Sequence, residues 1–140
     1  MFNPSRDQAR QFFFDARRKQ RQGEVLAGLD MVAVDVIGLH PEYHSVLDDP
    51  ERFQDREYLP ESGATNPFLH LSMHLAVEEQ LSIDQPPGIK LEFARIAAKL
   101  GDRHAACHAI MECLAETVWR AQRDGVTPDA LAYLECLKRR

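Results

Sequence analysis

Six histidines carry the most legible chemistry in this chain. They fall into three pairs spaced four residues apart: His40 with His44, His70 with His74, and His104 with His108. Random placement of six residues in this length yields about 0.2 such pairs. Each pair is followed four residues later by an acid, Asp48, Glu78 and Glu112 in turn, so His-x-x-x-His-x-x-x-Asp/Glu occurs three times. On an α-helix, residues i and i+4 lie one turn apart and about 40° round the axis, so their side chains project together. Two imidazoles so placed reach one metal ion, and a carboxylate one turn further reaches the same ion or its neighbour. Imidazole with carboxylate suits iron, zinc, manganese or copper. The candidate ligands are therefore His40, His44, His70, His74, Glu78, His104, His108 and Glu112.

Helices must position these groups, and helix signals recur along the chain. Asn3-Pro4, Asn66-Pro67 and Thr127-Pro128 each pair a capping side chain with a proline suited to the first helical position. The pattern predicts helices over Pro4 to Gln22, stopped by Gly23, and over Val25 to Leu39. A short helical piece follows Pro41 to about Leu47. The stretch 48–65, with Pro50, Pro60 and Gly63, reads mostly as connection, with a helical turn after Pro50. Further helices are predicted over Pro67–Ile83, Ile89–Leu100, Asp102–Arg123 and Pro128–Lys138. No stretch alternates polar and apolar residues as a strand would. The expected fold is all-α, a single-domain bundle over 1–140 with five to six helices.

Helical wheels predict the direction of two histidine stripes. His70, His74 and Glu78 share a sector with Pro67, Leu71, Val77 and Leu81. His104, His108 and Glu112 share theirs with Met111, Ala115, Val118 and Trp119. Both stripes are expected to face the core, where a carboxylate must be paired with a cation or bind a metal. The first pair differs, because Pro41 disfavours helical geometry at His40 and makes it a cap position. Glu42 suits the helix dipole beside Pro41 and is also a possible ligand, and Tyr43, between two histidines, reads as packing or as a hydrogen-bond donor, redox or substrate-facing group. Cys107, next to His108, reads as packing rather than as a ligand. Asp30 and Asp35 could orient imidazoles from behind, or face solvent.

Composition limits the partners. A formal charge of −5 opposes broad attraction to nucleic acid or anionic membrane. Arg17, Arg18, Lys19 and Arg21 lie near a helix end, where cations complement the dipole. No apolar run approaches the roughly 18 residues of a membrane span, and the start lacks the apolar region of a signal peptide. Cys107, Cys113 and Cys136 are odd in number and lack CxxC spacing, so reduced thiols in a cytoplasmic protein are expected.

His-Pro-Glu-Tyr-His at 40–44, Asn-Pro-Phe-Leu-His-Leu-Ser-Met-His at 66–74 and His-Ala-Ile-Met-Glu-Cys-Leu-Ala-Glu at 108–116 carry a resemblance. Over essentially its whole length the chain resembles a bacterial family of domains of unknown function, number 1841. That implies a small helical protein and supplies no activity. A looser likeness is to hemerythrin-like four-helix bundles, which hold two irons with histidines and carboxylates, though their spacing is not reproduced. Six imidazoles and three acids exceed the needs of one ion, which points to a dinuclear, iron-type site able to bind or activate dioxygen, peroxide or water. The alternatives are a non-enzymatic module stabilised by zinc or sensing a metal, and a metal-free helical scaffold that binds a partner.

Overall fold

The computed structural model describes residues 5–59, 63 and 65–140, and its regular elements are all helical. They are α1 (Arg6–Gln22), α2 (Leu29–Gly38), a 3-10 turn (Pro41–Tyr43), α3 (His44–Leu47), α4 (Pro50–Phe53), α5 (Pro67–Ile83), α6 (Ile89–Leu100), α7 (Arg103–Asp124) and α8 (Ala130–Lys138). The all-α expectation holds, with eight helices among the described residues where five to six were expected. The extra ones are single turns, α3 and α4, which the prolines 41 and 50 start and short loops end. Two compact units divide the chain between Leu75 and Ala76, partway along α5.

In the first unit, α1 starts at a capping box in which Ser5 and Gln8 satisfy each other's backbone amides. Ser5 thus caps in place of the expected Asn3, which lies outside the described residues. Gly23 closes the helix in the left-handed region, and the Glu24 amide donates back to the Lys19 carbonyl. The helix α2 begins at Leu29, four residues later than expected. Gly28 has a φ of 57°, which breaks the helical path ahead of Leu29, and Val25 is 90% exposed and gains no burial that would favour a helix there. Phe13, Phe14 and Ala16 of α1 form the core with Ala33, Val36 and Ile37 of α2, Leu47, Phe53, and Phe68, Leu71 and Leu75 of α5.

A buried arginine holds this unit's connection in place. Arg10 is 3% exposed, and its Nη1 donates to the carbonyls of Phe53, Gln54 and Arg56 at 3.2, 2.8 and 2.8 Å. Its guanidinium lies over the Phe68 ring at 4.7 Å. A charge-assisted donor thereby satisfies carbonyls that no ladder serves.

In the second unit, Asp84 accepts from the Gly88 and Lys90 amides at the start of α6. These amide bonds hold its carboxyl below the ordinary value. Buried residues are Val77, Leu81, Ile89, Ile96, Ala106, Ile110, Met111, Tyr133 and Leu137. The Tyr133 hydroxyl donates to Gln80 Oε1 at 2.7 Å, and Arg95 donates to the Leu137 carbonyl. Asp129, rather than Thr127, caps α8 by accepting from the Leu131 and Ala132 amides.

Cys113 and Cys136 form a disulfide across 23 residues, joining α7 to α8. This corrects the expectation of reduced thiols throughout. The pairing arises because folding brings the two helices side by side, which residue spacing does not reveal. Cys107 keeps its thiol and is buried. Among the described residues, no helix is long and apolar enough to cross a membrane.

Candidate metal centre

In the first unit, His40 lies at the junction that Pro41 forces. Its backbone is non-helical, at φ −128° and ψ 65°. The ring folds back so that Nδ1 lies 2.8 Å from the Val36 carbonyl oxygen. A carbonyl only accepts, so Nδ1 carries the proton and Nε2 is left as the lone-pair nitrogen. That is the arrangement of a metal-ligating histidine, with a backbone carbonyl setting the tautomer. His40 is 2% exposed and His74 is 1% exposed.

The Asn66 side chain accepts from the amides of Phe68 and Leu69 and so starts α5. His70 and His74 follow on one face of that helix. Their rings lie 4.9 Å apart by centroids, and each approaches the His40 ring, at 4.9 Å for His70 and 4.7 Å for His74. His70 Nε2 is 3.1 Å from His40 Nε2. With the His40 tautomer set by Val36, His70 is the N–H donor in this contact. Two nitrogens bound at 2.0–2.1 Å to one tetrahedral ion stand about 3.3 Å apart, so an ion can replace the shared proton with little movement. His40 and His74 also offer ligand nitrogens within 4.8 Å of one another.

Tyr43 packs nearly parallel to the His40 ring, with centroids at 5.4 Å and planes 6° apart, and lies edge-on to His70 at 5.9 Å. Burial, and secondarily Glu42, raises its phenol above the ordinary value. Tyr43 therefore presses on the cluster as a neutral ring. Glu42 is exposed. His44 takes a separate path: its Nε2 donates to the Ile37 carbonyl at 3.0 Å. As the Pro41 break predicts, His40 and His44 do not share a helical face, because the 3-10 turn after Pro41 replaces the α-helical one. Asp48 lies with Arg17 and Arg21, at 2.9 and 3.3 Å. Asp30 pairs with Lys19 at 3.1 Å, and Asp35 is exposed, so neither shows the orienting role considered for it.

In the second unit, the Asp102 side chain caps α7 by accepting from the amides of His104 and Ala105. His104 thus sits in the first turn, and His108 one turn on, with ring centroids 4.2 Å apart. Their ligand nitrogens lie within 4.8 Å of one another, and both residues are half-buried.

The acids of the repeat behave differently from the histidines. Glu78 meets Arg103 in a two-pronged pair, Nη1 to Oε1 at 2.8 Å and Nη2 to Oε2 at 3.0 Å. Glu112 pairs with Arg140, and its side chain is 63% exposed. The expectation that Glu112 faces the core is corrected, as are those for Ala115 and for Trp119, which is 58% exposed. The buried arc of α7 runs through Ala106, Ile110, Cys113, Thr117 and Ala121, so positions 112, 115 and 119 lie on its far side. Burial, the largest cause, pushes the Cys107 thiol up to about 11. A protonated thiol is a poor ligand, in keeping with its reading as packing.

Arg103 was missed by reasoning from sequence. Its signal was available: a half-buried acid in register with two histidines needs a cation, and Arg103 directly precedes His104.

Fold and site together define an all-helical protein with a histidine cluster that could hold a metal ion. The family described as "Domain of unknown function (DUF1841)" matches over residues 5–139, and the chain belongs to it. No curated protein and no solved structure matches the chain.

Proposed function

We propose that this protein binds a transition-metal ion through histidine, with His40 and His74 of the first unit, and His104 and His108 of the second, as candidate ligands, each pair taken by itself. The observation that carries the reading is His40. It is buried, with Nδ1 tied to a backbone carbonyl and Nε2 turned to His70 at 3.1 Å. A buried imidazole held in one tautomer beside two others is organised for an ion and costs free energy to leave poorly solvated.

An ion enclosed by neutral imidazoles alone has no position for water or substrate. Such a site holds, senses or stores its ion. The ligand set carries no charge, since Glu78 and Glu112 already have guanidinium partners. Imidazole alone favours zinc, iron(II), copper or nickel over harder ions such as manganese.

The fuller reading, a dinuclear iron centre that binds or activates dioxygen, peroxide or water, also enlists His44, His70, Glu78 and Glu112. It requires Glu78 and Glu112 to leave Arg103 and Arg140. Stoichiometry separates the two. Elemental analysis of protein purified without a His tag and reconstituted is expected to give about one equivalent, falling sharply in whichever of His74→Ala and His108→Ala removes a ligand. Two equivalents, with visible absorption that responds to azide or peroxide, would establish the dinuclear reading instead. Less than about half an equivalent of any transition metal leaves the metal-free scaffold.

A further inference from the structure

We infer that Glu78 and Arg103 are positioning residues for the proposed histidine site, an inference that rests on the metal reading above. Glu78 stands one helical turn after His74 on α5. Arg103 directly precedes His104 in the first turn of α7. Within the second unit the two side chains meet in parallel hydrogen bonds of 2.8 and 3.0 Å, the geometry in which a guanidinium fork matches a carboxylate and resists rotation. The fork is braced on two further sides. Its guanidinium lies over the Phe93 ring of α6 at 5.2 Å, and Nη1 lies 3.8 Å from Cys107 Sγ. The Cys107 thiol in turn points to Glu78 Oε1 at 3.9 Å. Side chains from α5, α6 and α7 therefore converge on one ion pair.

A metal site needs its ligands held within about 0.5 Å of their working positions. The clamp fixes the Glu78 turn of α5 against the turn of α7 that carries His104. It also balances charge. Glu78 neutralises a guanidinium that would otherwise repel an incoming divalent cation, and Arg103 keeps the carboxylate from swinging away to become a ligand. Glu78 therefore supports the site from outside the metal's own shell.

Cobalt(II) titration of the full chain tests this, read by the ligand-field bands and with helix content checked by circular dichroism. The half-exposed pair contributes little to stability, so the variants are expected to stay folded. Glu78→Gln and Arg103→Gln should each weaken cobalt binding by about 10- to 100-fold, the usual cost of losing an outer partner, with band positions unchanged. Arg103→Lys, which keeps the charge and loses the fork, should fall between wild type and Arg103→Gln. The charge swap Glu78→Arg with Arg103→Glu should recover most of the affinity. Glu116→Gln, in an exposed pair with Arg120, should bind as wild type does. Bands that shift in Glu78→Gln, or tighter binding in Arg103→Gln, would make Glu78 a ligand and overturn the inference. Wild-type affinity in both glutamine variants overturns the clamp alone, whereas wild-type protein that binds no cobalt overturns the metal reading and the clamp with it.

Discussion

Reduction of the Cys113–Cys136 bond should weaken the second unit and leave the first nearly untouched. The bond closes a loop across 23 residues. In the chain-entropy account, a loop of that size removes about 11 cal/mol/K from the unfolded ensemble, or about 3.4 kcal/mol at 25 °C. With a urea dependence on the order of 2 kcal/mol per molar, the midpoint should fall by about 1.7 M. The slope should steepen, because the uncrosslinked unfolded chain exposes more surface. The chain's one tryptophan, Trp119, lies on α7, so its fluorescence reports the second unit. Circular dichroism at 222 nm reports both units. A Cys107→Ala background prevents exchange with the third thiol after unfolding. With reductant, or in Cys113→Ala with Cys136→Ala, the fluorescence transition should move down while an earlier or later dichroism phase from the first unit stays in place. Two titratable thiols in unreduced, denatured Cys107→Ala protein, or a fluorescence midpoint indifferent to reductant, would refute the reasoning.

Other outcomes follow from the same contacts. Arg10→Ala leaves the carbonyls of Phe53 and Gln54 without their charged donor and that of Arg56 with Arg6 alone, and should cost about 3 kcal/mol or more, measured by thermal melting. Phe13→Ala, at a fully buried position, should cost about 3–5 kcal/mol in urea unfolding. The Arg17 hydrogen bond is the largest cause holding the Asp48 carboxyl below its ordinary value of 3.8. The resulting stabilisation is present above that value and is lost as pH falls through the lower folded one. Acid titration of Arg17→Gln should therefore show a smaller loss of stability below about pH 4 than wild type. Tyr133→Phe strands Gln80 Oε1 and should destabilise the second unit by about 1 kcal/mol.

The long helices were legible because local chemistry decides them. Asn66 with Pro67, Asp102 and Gly23 mark helix ends that the structure reproduces closely. Boundaries slipped where caps competed or packing was absent. Asp129 displaced Thr127, and Val25 stayed exposed. Pro41 correctly signalled that His40 would leave the helix, though not that its ring would fold back on Val36.

The repeat itself, imidazoles at helical spacing with an acid one turn on, is a property of the chain written in one dimension. It determines which side chains share a stripe, since the pitch of the helix is the same wherever the helix lies. Which stripe meets what was left to tertiary structure. Glu112 and Asp48 went to surface arginines, Glu78 to Arg103, and His44 to a carbonyl. Cys113 found Cys136 only because α7 and α8 pack together. Pairing depends on distances between segments remote along the chain, and those are set by how the helices bury their apolar arcs.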